Sequence, residues 1–264
     1  MNRIDSKFRE LKKKGKKAFI AFITAGDPNL TATQQLVLNF EHAGVDIVEL
    51  GVPFSDPLAD GLTIQASSQR ALQKGVTLEK IFSLVKKIRE SSEIPIALMT
   101  YYNPVFYYGE ERFLTQAEQS GVDGLIIPDL PPEEARNLIQ SARKKNISLV
   151  FFISPTTTKQ RMKHIIKASS GFIYYVSLTG VTGAREGIAP LILKQVSLVK
   201  KMTKKPVCVG FGISTPEQVK KISQIADGVI VGSAIVQQIV KNAGKKNLVN
   251  RVTQFVHHLS RGLK

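Results

Sequence analysis

Glu49-Leu50-Gly51-Val52-Pro53-Phe54-Ser55-Asp56-Pro57-Leu58-Ala59-Asp60-Gly61 places one carboxylate near the end of an apolar run and a second in the loop that follows. The run is Val45-Asp46-Ile47-Val48-Glu49-Leu50-Gly51, short and β-branched, and it reads as a strand. A charge at its end is costly inside a core and useful at an open carboxyl-terminal rim. Glu49 therefore marks a site, in a fold whose strand ends open onto a common mouth.

Working outward from this stretch, short apolar runs alternate with longer amphipathic segments along the whole chain, the βαβα pattern of a parallel sheet. Eight strands are expected, at 18–24, 47–51, 96–99, 124–127, 148–153, 172–176, 206–210 and 228–231. Eight such units in 264 residues match a single α/β domain over 1–264, a closed (β/α)8 or TIM barrel, better than an open doubly wound sheet. Asn29-Leu30-Thr31 and Ser214-Thr215-Pro216-Glu217 carry helix-start chemistry, and Gly44 a helix stop. Two segments lie outside the alternation: an amino-terminal helix over 2–14, expected to cover the barrel floor, and extra helix over 63–74 ahead of the helix at 78–91.

Neither the apolar stretches, 18–23 and 149–153 among them, nor the Met1-Asn2-Arg3-Ile4-Asp5 start suggests a membrane span or a signal segment, so a cytoplasmic protein is expected. The single cysteine, Cys208, lies in a strand and reads as a small buried hydrophobe. A net charge of +16 invites a nucleic-acid reading. The clusters, including Lys12-Lys13-Lys14 and Lys200-Lys201, instead fall at helix ends with no recognition motif, which favours a solvated surface without nucleic-acid or membrane partners.

In a barrel the functional groups sit just after the strands. After the last two strands come Gly210-Phe211-Gly212-Ile213-Ser214 and Gly232-Ser233-Ala234. Glycines allow close backbone approach, and a helix N-terminus offers free N–H donors to a dianion, so Gly212, Gly232 and Ser233 together suggest a phosphate cradle. Each glycine alone reads equally well as a tight βα turn.

The stretch 49–61 closely resembles the signature of the tryptophan synthase alpha-subunit family. Phe22-Ile23-Thr24-Ala25-Gly26-Asp27-Pro28, Tyr101-Tyr102-Asn103-Pro104, Pro128-Asp129-Leu130-Pro131, Gly180-Val181-Thr182-Gly183 and Gly232-Ser233-Ala234-Ile235-Val236 resemble further family motifs in family order. The resemblance implies a carbon–carbon lyase of tryptophan biosynthesis. Such an enzyme cleaves indole-3-glycerol phosphate to indole and glyceraldehyde 3-phosphate without cofactor or metal, inside an allosteric α2β2 heterotetramer whose beta subunit holds pyridoxal phosphate and receives the indole. It assigns proton transfer to Glu49, with a pKa raised by burial, and gives an ionised Asp60 the indole N–H. Tyr174 is then the site tyrosine, and Phe22, Tyr101, Ile126 and Asp129 line or frame the indole pocket. For Phe22 and Ile126, core packing is the alternative. Thr182 belongs to a loop that closes over substrate and meets Asp60. Gly183, Phe211, Gly212, Gly232 and Ser233 take the phosphate, and Pro53, Phe54, Asp56 and Pro57 face the beta subunit. Leu178-Thr179 stands where some family members have a basic residue, so no arginine role is carried onto it.

Two rivals remain. Another phosphate-binding barrel enzyme would share the cradle but need groups such as strand-end lysines, and no expected strand ends in lysine. A largely non-catalytic activator of a beta subunit would keep the fold without the chemistry.

Overall fold

The structure, a computed structural model, describes residues 2–176, 190–210 and 212–263. Among the described residues there are nine parallel strand segments: β1 Ala18–Thr24, β2 Ile47–Gly51, β3 Ile96–Met99, β4 Gly124–Ile126, β5 Ser148–Val150, β6 Phe152–Ile153, β7 Ile173–Val176, β8 Val207–Gly210 and β9 Gly228–Val231. Their order, β5-β4-β3-β2-β1-β9-β8-β7-β6, ends on two segments separated only by Phe151. β5 and β6 are thus the two parts of the run read as one strand over 148–153. Its lower part pairs with β4 and its upper part with β7, and the ring closes through one residue of chain. The sheet is therefore a (β/α)8 barrel, as the alternation predicted.

Side-chain alternation divides the barrel strands between two cores. Ile20, Ile47, Ala97, Ile126, Val150, Tyr174, Cys208 and Ile230 form the inner cluster. Phe19, Ile23, Leu50, Leu98 and Val209 face the surrounding helices. Glu49 lies two residues beyond Ile47 and so shares its inward parity. Cys208 is buried, as expected of a small hydrophobe.

Helix α1, Arg3–Lys13, is capped by the Asn2 side chain and sends Ile4, Phe8 and Leu11 into the inner cluster, closing the floor as foreseen. Gly124 makes room for it, since a Cβ there would meet Ile4 at 2.8 Å. Asn2 Nδ2 donates to the Asp123 carbonyl at 2.9 Å and to Ser148 Oγ at 2.7 Å, fastening the plug to the base of β4 and β5. Next to it the buried Asp123 carboxylate accepts from Arg3 at 3.1 Å and from Arg89 at 2.8 Å. Helices α2 (Leu30–His42), α3 (Leu62–Gln73) and α4 (Leu78–Arg89) follow β1 and β2, with α3 as the expected extra helix. Basic side chains close α1, α4, and the helices Arg136–Lys144, Pro190–Met202 and Pro216–Ser223, each leading into the next strand. The cations therefore gather on the floor side, where they complement helix C-termini. Among the described residues no helix is long and apolar enough to cross a membrane.

Arg89 also donates to the Gly121, Ser92 and Ile94 carbonyls, so it is the main counter-charge and the main cross-link at the floor. Arg89→Met leaves the Asp123 charge with the partly exposed Arg3 as its one described counter-charge, beside the Ile96 N–H that donates to it at 2.9 Å. It is expected to lower unfolding stability by about 3 kcal/mol, read from the urea midpoint; a change under about 0.5 kcal/mol would contradict this account of the floor.

Candidate active site

The barrel mouth is built from strand ends. In the β1–β2 ladder Phe22 pairs with Glu49 and Thr24 with Gly51, and on the other side of β2 Glu49 pairs with Ala97. Glu49 is fully buried, and among the described residues neither of its carboxyl oxygens has a hydrogen-bond partner. Burial pushes its pKa up to about 8, so the carboxyl is protonated at neutrality. Tyr174, on β7, is buried, and burial first and the Glu49 charge second push its phenol pKa further above the ordinary range. Gly210 exists for this ring, because a Cβ there would lie 2.7 Å from the Tyr174 hydroxyl. Gly51 does the same for Phe22, whose ring would meet a Cβ at 2.6 Å.

Asp60 ends the loop between β2 and α3. Its Oδ2 accepts from the Tyr101 hydroxyl at 3.1 Å, and that hydroxyl in turn accepts from the Ala59 N–H at 2.8 Å. Partial burial raises the Asp60 pKa to about 6 against the lowering effect of the Tyr101 bond, so at neutral pH it is mainly ionised. Tyr101 is pushed upward as well, by burial and by the Asp60 charge. One carboxyl that keeps its proton and another that has lost it thus face the same mouth, the arrangement that separates acid from charge-stabilising roles.

Phe22 and Ile126 are buried, Phe22 beside Ile64 and Val236 and Ile126 within the inner cluster, so packing accounts for both in the absence of a ligand. Asp129 accepts from the Tyr102 N–H at 2.9 Å and so shapes the turn after β3. Gly232 precedes the helix Ser233–Asn242, whose N-terminus carries no side-chain cap, and Ser233 is exposed there. Gly212 adopts φ 66°, a left-handed conformation that favours glycine. Thr182, Gly183 and Phe211, together with Leu178-Thr179, lie outside the described residues.

The loop after β2 presents its residues unevenly. Pro53 is buried at its root, Phe54 and Pro57 are half-buried, and Asp56 is exposed. Leu58 of this loop, 93% exposed, and Leu62 at the start of α3, 83% exposed, turn apolar side chains outward, and the reading of the sequence passed over both. A cleft of about 510 Å³ lies between this loop and α3, with Phe54, Pro57, Leu62 and Gln65 among its walls and Glu49 not among them. Also passed over were the side chains that fasten α3: Ser67 to Thr24, and Arg70 to Asp27. Their signal was present in the buried helical stripe Ile64, Ser67, Ser68, Ala71, where two hydroxyls stand at core positions.

The family described as tryptophan synthase alpha chain matches residues 8–264. The tryptophan synthase alpha chain of Caldanaerobacter subterraneus subsp. tengcongensis is 52% identical over 256 residues, 97% of each chain. That of Geobacter sp. strain M21 is 49% identical over 263 residues, covering 100% of this chain and 98% of the relative. Among solved structures, tryptophan synthase subunit alpha from Legionella pneumophila str. Paris superposes with a TM-score of 0.93 at 37% identity, covering 100% of this chain and 98% of the other. A chain of Mycobacterium tuberculosis tryptophan synthase gives 0.90 at 33% identity, covering 99% and 98%.

The orphaned Glu49 carboxyl has a consequence for stability. Unfolded, it loses its proton near the ordinary value of 4.5; folded, it holds the proton to about 8. The stability this proton contributes is whole below 4.5 and is lost as pH rises through 8. Glu49→Gln removes that loss, so the variant is expected to gain on the parent by on the order of 3 kcal/mol between about pH 5 and 8. Denaturant unfolding of both proteins at the two pH values checks this; a pH-independent difference would mean that Glu49 is ionised in the folded chain.

Proposed function

This chain belongs to the tryptophan synthase alpha chain family, and we propose that Glu49, Asp60 and Tyr174 carry the family's reaction, cleavage of indole-3-glycerol phosphate to indole and glyceraldehyde 3-phosphate. The observation that carries this reading is the fully buried, partnerless Glu49 carboxyl with its raised pKa. Such a group costs stability and has the proton affinity of a general acid working near neutrality. Glu49 first gives its proton to C3 of the indole ring. The positive charge that develops at the ring nitrogen is met by ionised Asp60, which accepts the indole N–H. Glu49, now a carboxylate, takes the proton of the adjacent glycerol hydroxyl. The C3 side-chain bond breaks, its electron pair returns to the ring, and the hydroxyl carbon leaves as the aldehyde. Glu49 ends protonated and ready for the next substrate. The neutral Tyr174 phenol offers a donor to the substrate hydroxyl.

Phe22, Tyr101, Ile126 and Asp129 frame the indole end in this reading. Gly212, Gly232 and Ser233 hold the phosphate at the uncapped helix N-terminus, and Gly183 and Phe211 join them while Thr182 closes the site. The family implies a beta-subunit partner. We assign the contact to the loop after β2, through Phe54, Asp56 and Pro57 over the buried Pro53, and extend it to the exposed Leu58 and to Phe106 and Tyr107, 67% and 93% exposed on the helix Tyr102–Tyr108. Pyridoxal phosphate belongs to that partner, in an α2β2 assembly in the cytoplasm, and the alpha reaction as written uses protein carboxyls alone. Residues 1–264 act as one barrel domain.

Indole release from indole-3-glycerol phosphate by the purified chain, with and without its beta subunit, tests this. Glu49→Gln is expected to lose activity by at least about 10³-fold. The profile of kcat/KM against pH is expected to rise through about 6 as Asp60 ionises and fall through about 8 as Glu49 loses its proton. Full activity in Glu49→Gln would remove the acid–base assignment, and no activity from the folded parent in either state would leave the activator role. For the phosphate end, Ser233→Asp puts a negative charge at a helix N-terminus, which favours the helix and repels a phosphate. It is expected to raise KM about tenfold or more without lowering the melting temperature; an unchanged KM would move the phosphate elsewhere.

A further inference from the structure

Asp60 stands just before α3, and the loop that leads to it is held by few backbone bonds of its own, among them Asp60 N–H to the Pro57 carbonyl at 3.0 Å. Gln65 Nε2, one turn into α3, donates to the Asp60 carbonyl at 2.8 Å, so the residue moves with its helix. Helix α3 is in turn fastened to the end of β1 at several points. Thr24 Oγ1 and Ser67 Oγ, both buried, are 2.6 Å apart. Ser67 also donates to the Ile64 carbonyl at 2.7 Å, which leaves Thr24 as the donor of the pair. One turn further on, Arg70 grips Asp27 with two parallel bonds, Nε to Oδ1 at 2.9 Å and Nη2 to Oδ2 at 2.7 Å. Lys74 Nζ donates to the Pro28 carbonyl, and Gly26 is packed against Val76 so closely that a Cβ would lie 2.3 Å from it.

Thr24 is also the residue of β1 that pairs with Gly51, two positions above the Phe22–Glu49 pair. The strand that carries the clamp is therefore bonded in register to the strand that carries Glu49. We propose that the Thr24–Ser67 and Asp27–Arg70 pairs set the position of Asp60 relative to Glu49, which makes Ser67 and Arg70 positioning residues for the cleavage. Both pairs are side chain to side chain. A bidentate guanidinium–carboxylate bond fixes orientation as well as distance, which a lysine at the same place does only in part. This inference rests on the reading of Asp60 as the group that meets the indole N–H.

The test is steady-state indole release by the full chain with its cognate beta subunit, in Ser67→Ala, Arg70→Met, Arg70→Lys and Asp60→Asn, and in Asp60→Asn combined with Arg70→Met. Misplacement of a catalytic group by about 1 Å costs up to about 10²-fold, so a loosened clamp is expected to lower kcat about tenfold in Arg70→Met and in Ser67→Ala. KM should change less than about twofold, because the phosphate end is untouched. Arg70→Lys should recover part of the loss. In the Asp60→Asn background, Arg70→Met should add less than about twofold, because the clamp acts through Asp60. A full tenfold loss in that background, or a parent-like kcat in both single clamp variants, would overturn the proposal. Ser67→Ala removes one oxygen and keeps the helix, so it decides the matter if Arg70→Met does not fold. Parent-like kcat in Asp60→Asn itself would instead overturn the underlying role of Asp60 together with the clamp.

Discussion

Glu49 occupies an interior position on a strand paired on both sides, and among the described residues no donor reaches its buried carboxyl. That constraint organises the mouth. A charge there is suppressed, which turns an ordinary carboxylic acid into a proton store near neutrality. Glycines at 51 and 210 clear space for the aromatic rings of Phe22 and Tyr174 around the same volume. Asp60, only partly buried and bonded to Tyr101, keeps a much lower proton affinity than Glu49. Two carboxyls of one residue stretch thereby acquire different chemistry from their surroundings alone.

The parallel ring explains why those surroundings meet. Every strand points the same way, so every strand end and every helix start reaches one face, and basic helix ends collect on the opposite face. Cations that look scattered along the chain are in this sense ordered, each facing a helix C-terminus ahead of a strand. The floor needs the opposite devices from the mouth. There Asp123 is buried too, but Arg3 and Arg89 satisfy it, and the plug helix fills the interior that the mouth leaves polar.

Much of this was legible in the residues. β1, β2, β3 and β9 stand at the expected boundaries, because β-branched runs bounded by polar turns leave little freedom of register. The break at Phe151 was not legible, since Ser148-Leu149-Val150-Phe151-Phe152-Ile153 is apolar without a turn signal. The interruption marks where the strand leaves one neighbour for the other, which depends on ring closure. Glu49 stood out because a charge at a strand end is conspicuous, whereas Asp60, an Asp before Gly that reads equally well as a turn residue, stood out only through the family resemblance. Ser67 and Arg70 did not, because a serine and an arginine on a helix look like surface until the strand end they reach is known. The apolar exposure of Leu58 was equally hidden, since only the path of the loop decides which side chains of 53–60 turn outward.

The plug at the floor carries a consequence for how the chain comes into being. Asn2 bonds Ser148, 146 residues away, and Ile4, Phe8 and Leu11 have no core until the strands around them exist. A contact of that separation closes late, because its loop entropy must be met before it gives anything back. On a ribosome adding about 5–20 residues each second, the apolar face of α1 waits on the order of ten seconds for its partners to be made. A helix made ahead of every barrel strand is thus among the last to be housed, and meanwhile it also shows a polar side that carries Lys7, Lys12 and Lys13.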